Sequence, residues 1–105
     1  MKNKITLFYV PCKNKEEATR LAKICINNKL MACSNIHPID SIYLWEEKIV
    51  QEKECILMLK TLPSLSKKLK KLIQQEHPYE IPAIISYDAS VNKEYMAWMK
   101  LALEN

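Results

Sequence analysis

SIYLWEEKIVQEKECILMLKT, residues 41–61, has the pattern of two strands about a charged turn. Ser41–Trp45 is short, β-branched and aromatic, which suits a strand. The charged break Glu46-Glu47-Lys48 reads as a turn. Glu54–Thr61 is a second strand, with Cys55, Leu57 and Leu59 on one face and Ile56 and Met58 on the other. Apolar residues on both faces predict a central strand or an oligomer interface. Just upstream, Met31-Ala32-Cys33-Ser34, leading to Pro38, extends the strand-forming region back to Leu30.

On the N-terminal side, Ile5–Val10 is an apolar run ended by Pro11 and reads as a buried strand. Asn14 is a good helix N-cap, and Glu17 stands three residues on, in capping-box position. Ala18, Leu21, Ala22 and Cys25 then follow the i, i+3, i+4, i+7 pattern of a helix that runs to about Asn28. Asn27-Asn28 is expected to supply its left-handed exit. On the C-terminal side, Pro63-Ser64 opens a second helix with Leu65, Leu69, Leu72 and Ile73 as the buried stripe. His77-Pro78 stops it, because proline disfavours helix in the residue before it. Pro82–Ala89 is expected as the fourth strand. A third helix follows Asn92, with Tyr95, Trp98, Met99 and Ala102 on one side. The order β-α-β-β-α-β plus a C-terminal helix predicts an α+β, ferredoxin-like sandwich with helices on one face of an antiparallel sheet.

The 105 residues suit one domain spanning the chain. The net charge of +4 is mild, and much of the excess lies in Lys67, Lys68, Lys70 and Lys71, which read as the solvated face of a helix. Glycine is absent, so a P-loop, a dinucleotide fingerprint and a G-x-S-x-G elbow are excluded. The four cysteines have no C-x-x-C spacing, which excludes a zinc ribbon or thioredoxin motif. No secretion signal or membrane-length apolar run is read, so a soluble, cytoplasmic protein with reduced thiols is expected. Two other functions known for this layout fit poorly. RNA recognition needs stacking aromatics on a central strand, and 54–59 has none. Acylphosphate chemistry wants an arginine cradle, and the only arginine, Arg20, falls on a helix. The expectation is therefore no nucleic acid, no membrane and no enzyme.

Four segments carry a resemblance: Leu30–Cys33, Ser41–Lys48, Leu59-Lys60-Thr61 and His77-Pro78-Tyr79-Glu80-Ile81-Pro82. In this order and spacing the chain resembles the CutA divalent-cation-tolerance family from about Ile5 to Trp98. The resemblance implies a ferredoxin-like fold, a tight homotrimer, a shape related to PII signalling proteins, and a link to copper and other divalent cations. The family commonly has glycine where Glu47 stands, and often Pro-Gly where Pro38-Ile39 stands.

The resemblance also implies site residues. Cys33 and His77 fall at places where copper ligands are proposed, and Cys12 matches a common cysteine there, a loop-facing third ligand. Thiolate and imidazole suit copper. Against this, cysteine is often a small buried hydrophobe, and His77 equally reads as a helix-end residue. Cys25 and Cys55 are expected to pack in the core, and His37 to sit on a loop. Lys60, Tyr79 and Glu80 with His77 form a second expected constellation, either a small-ligand pocket or an ion pair that fixes a loop. Trp45 is expected at a subunit contact or stacked on that ligand.

Overall fold

The computed structural model describes residues 3–104. Four strands form one antiparallel sheet in the order β2-β3-β1-β4. They are β1 (Lys4–Cys12), β2 (Cys33–Trp45), β3 (Lys48–Thr61) and β4 (Ile85–Ser90); helices α1 (Lys15–Asn27), α2 (Ser66–Glu76) and α3 (Lys93–Leu103) connect and flank them. A 3-10 turn at Pro63–Leu65 leads into α2.

Side-chain alternation assigns the two faces of the sheet. Phe8, Val10 and Cys12 of β1 and Leu57 and Leu59 of β3 point to one face and are covered by Ala18, Leu21 and Cys25 of α1 and Leu69 and Ile73 of α2. On the other face α3 covers one end, where Met99 packs with Ile5 and Leu62, flanked by Leu7, Ala32 and Tyr95; further along, Ile56 and Glu54 are also buried, and Tyr79 bonds to Glu54 there. The rest of that face carries no helix, and the candidate site lies there. The lysines of α2 are all exposed.

Several boundaries differ from the sequence reading, each for a local reason. β2 is one continuous strand of 13 residues that runs through Pro38. An edge strand tolerates proline because its outward N–H is not needed for the ladder. β4 begins at Ile85, whose partner is Tyr9, and not at Pro82. The left-handed exit of α1 is Lys29, with φ of 59°, and not an asparagine. Asn28 instead caps the helix through its side-chain amide, which donates to the Ile24 carbonyl. The Asn14 cap forms as expected and accepts from the Glu17 N–H at 2.8 Å. Trp98 is half-exposed while Met99 is buried, so the expected buried side of α3 is narrower.

The β2–β3 hairpin closes on Glu46 and Glu47, with φ of 50° and 67°. Trp45 pairs with Lys48, so this is a two-residue loop with both central residues left-handed, the geometry that favours Asn-Gly.

Candidate functional site

The uncovered sheet face holds a cleft of about 710 Å³. Its floor is set by strand register. Pro11 and Tyr9 of β1, Glu54 and Glu52 of β3, and Ile39, Ser41, Tyr43 and Trp45 of β2 all line it, as do Lys13, Tyr79, Glu80 and Ile81. Glu54 faces Ile39, and Glu52 faces Ser41, across the β2–β3 ladder.

Glu54 is buried, with 8% of its surface exposed. The Tyr79 hydroxyl donates to its Oε2 at 2.5 Å. Burial first, and then this bond to a carboxylate, push the Tyr79 hydroxyl well above the ordinary phenol range. Tyr43 donates similarly to Glu52 at the open end, and that bond is the main cause that raises Tyr43 to about 12. Two tyrosine–glutamate pairs therefore fix the cleft's polar wall.

His77 anchors the segment that carries Tyr79. Its Nδ1 accepts from the Tyr79 N–H at 3.2 Å, and its Nε2 lies 2.9 Å from the Pro11 carbonyl. An accepting Nδ1 puts the proton of the neutral ring on Nε2, which donates to Pro11. The ring also packs on Tyr79, centroids 4.6 Å apart. The expected helix-end role of His77 is thus met by a buried side chain with both nitrogens engaged.

The structure sets the residues of the expected metal set apart within the chain. Cys33 pairs with Lys60 and Cys12 with Cys55. Lys60 and Cys55 stand five residues apart on β3, which is about 16 Å along the strand. Cys33 lies on the uncovered face and Cys12 on the helix-covered face. Cys12 is not loop-facing: it is 1% exposed, in the core, and burial, ahead of Glu17, pushes its thiol up to about 12. With His77 spent on backbone groups, the three do not converge on one ion within a chain. Among the described residues no group of three or more His, Cys, Asp or Glu side chains is placed to hold a metal ion. Copper therefore does not fit the set Cys12, Cys33 and His77 within one chain.

Of the second constellation, Tyr79 and Glu80 line the cleft together with Trp45. Lys60 does not join them, because its register partner Cys33 places it at the other end of the sheet. The lysine at the cleft is Lys13. Glu54 and Tyr9 were missed as site residues. The signal for Glu54 was an acid at the head of a strand whose same-face successors, Ile56 and Met58, are apolar. Cys33 is half-buried beside Tyr95 of α3, whose hydroxyl makes no regular hydrogen bond among the described residues. Cys25 is fully buried as expected, while Cys55 is only half-buried, and His37 lies within β2, exposed, and not on a loop.

Comparison with known proteins places this architecture. A sequence-family model described as CutA1 divalent ion tolerance protein matches residues 6–102. The divalent-cation tolerance protein CutA of Pyrococcus horikoshii is 36% identical over 94 residues, covering 89% of this chain and 92% of that protein. The crystal structure of the divalent ion tolerance protein CutA1 from Ehrlichia chaffeensis superposes with a TM-score of 0.91 at 39% identity, covering 98% of this chain and 97% of that one. The PII-like protein CutA from Nostoc superposes with a TM-score of 0.86 at 27% identity, covering 93% and 96%. With nearly its whole length matched in both sequence and fold, the chain belongs to the CutA1 divalent ion tolerance family.

Proposed function

We propose that this protein acts in divalent-cation tolerance as a cytoplasmic, PII-like homotrimer that works by binding and not by covalent catalysis, with copper as the ion it answers to. The observation that carries the reading is the cleft on the uncovered sheet face. A sheet face that no helix of the same chain covers beyond its α3 end is the natural inner surface of a trimer. Stacking these faces inward puts the cleft, with Trp45, Tyr79 and Glu80, at the boundary between subunits, where a small ligand would report on assembly. Exposed apolar side chains on the edge strands, Ile42 and Leu44 of β2 and Ile85 and Tyr87 of β4, support strand pairing or packing between copies.

The test is growth of a strain lacking the protein on graded copper, zinc and cobalt. The wild-type chain should restore tolerance, and Glu54→Gln and Tyr79→Phe should restore it less well. Tolerance that does not depend on the chain at all would reject the reading. A second reading, a scaffold or partner-binding trimer with no physiological metal, is favoured by the absence of any three-ligand group among the described residues. It predicts that purified trimer binds copper no more tightly than a chain whose thiols have been alkylated.

A further inference from the structure

Cys12 and Cys55 are the last register pair of the β1–β3 ladder. Both side chains point to the helix-covered face. Residues directly opposite in an antiparallel ladder have Cα atoms about 4.5 or 5.5 Å apart, and a disulfide spans about 4.4–6.8 Å between Cα atoms. Either ladder position therefore fits. Facing Cβ atoms lie about 4.5–5.5 Å apart and must close to about 3.8 Å in the bond. Cys12 is the final residue of β1, followed by the exposed Lys13-Asn14 loop, so this end of the strand is free to make that small approach.

The two thiols differ in access. Cys12 is buried, whereas Cys55 opens onto a second cavity of about 420 Å³ with Lys13, Lys15, Pro38 and Lys53 around it. We propose that Cys12 and Cys55 form an oxidant-responsive dithiol, in which peroxide entering this cavity oxidises Cys55 and Cys12 then closes a disulfide onto it. In the first step the Cys55 sulfur attacks one peroxide oxygen and the O–O bond breaks. The sulfur becomes a sulfenic acid, losing two electrons to the peroxide, and one water leaves. In the second step the Cys12 sulfur attacks the Cys55 sulfur. The S–O bond breaks, the hydroxyl leaves with the Cys12 proton as a second water, and the S–S bond forms. The buried Cys12 thiol, pushed up to about 12, holds almost no thiolate at neutral pH, so Cys55 and not Cys12 is the thiol that peroxide oxidises first, and Cys12 gives up its proton only to the hydroxyl that leaves in the second step. Cys33 lies on the opposite face, and Cys25 is buried on α1, so neither shares this cavity.

Purified, fully reduced protein treated with equimolar hydrogen peroxide at pH 7.5, then alkylated and digested with trypsin without reduction, tests this. The expected product links the tryptic peptide that ends at Lys13 to residues 54–60, and reduction releases it. In Cys12→Ser, the Cys55 sulfenic acid should persist and be captured by a cyclic diketone. In Cys55→Ser, Cys12 should remain a free thiol, alkylated once the chain is unfolded. Wild-type protein that keeps both Cys12 and Cys55 as free thiols after peroxide overturns the proposal. Consumption of Cys33 or Cys25 ahead of Cys55, or a link between Cys55 residues of two chains, overturns it equally. The wild-type peptide map decides the matter even where a serine variant folds poorly.

Discussion

His77 bonds two part-buried backbone groups, the Pro11 carbonyl and the Tyr79 N–H. Replacing it by alanine strands both, and each unsatisfied buried group costs about 1–3 kcal/mol. His77→Ala should therefore lower the unfolding free energy by roughly 2–5 kcal/mol in urea titration while leaving copper affinity in calorimetry unchanged. A large loss of copper affinity at intact stability would contradict this account of the ring. Tyr79→Phe removes the one hydrogen-bond donor that Glu54 has among the described residues and should cost about 1–3 kcal/mol. Tyr79→Phe with Glu54→Gln should cost less than the sum, because the two are one interaction. Cys12 adds a pH signature. Its folded-state value of about 12 lies above the ordinary 9.0, so the unfolded chain loses this proton first. Its contribution is complete below about pH 9 and is lost as pH rises towards 12. Unfolding free energy measured from pH 8 to 11 should fall less steeply in Cys12→Ala than in wild type. The residue types of this site were readable from the sequence, but their partners were not. Nothing in a linear reading says that His77 meets Pro11, 66 positions away, or that Lys13 and not Lys60 reaches the cleft.

The β2–β3 hairpin shows what patterning alone conveyed and where it stopped. The break at Glu46-Glu47 was legible from charge, and the register that follows sets every facing pair from Cys33–Lys60 to Trp45–Lys48. The continuity of β2 through Pro38 was not legible, because an edge position is a property of the sheet and not of the strand. The turn itself carries a cost. A left-handed conformation costs a non-glycine residue about 1–2 kcal/mol, and both Glu46 and Glu47 adopt it. Glu47→Gly should raise stability by roughly 0.5–1.5 kcal/mol, since glycine removes the Cβ clash but enlarges the unfolded ensemble. Equilibrium unfolding with an unchanged m-value would measure it. A destabilised Glu47→Gly variant would mean that the Glu47 side chain makes contacts that outweigh the backbone relief.

The molecule extends 45 Å along its longest axis against 25 and 21 Å across. The helix layer serves the buried core, while the hairpin carries Ile42, Leu44 and Ile49 exposed at 67%, 71% and 82%. Leu44 faces Ile49 across the ladder, so they form one apolar pair on the tip, on the same side as Ile42. A 105-residue chain buries a limited share of its surface alone, and such a pair left in water gains nothing for the monomer. Packed against neighbouring copies, the tips and the uncovered sheet faces would together form an obligate interface of about 2,000 Å² or more. Light scattering at micromolar concentration should therefore give a trimer. The double variant Leu44→Lys, Ile49→Lys places two like charges where the tip would meet a neighbour, and should shift the mass towards monomer with secondary structure retained. Its thermal midpoint should also become more dependent on protein concentration, because assembly then limits stability. A wild-type monomer at these concentrations would remove the trimer. A double variant that stays fully trimeric would leave the uncovered face, and not the hairpin tip, as the surface that holds the subunits together.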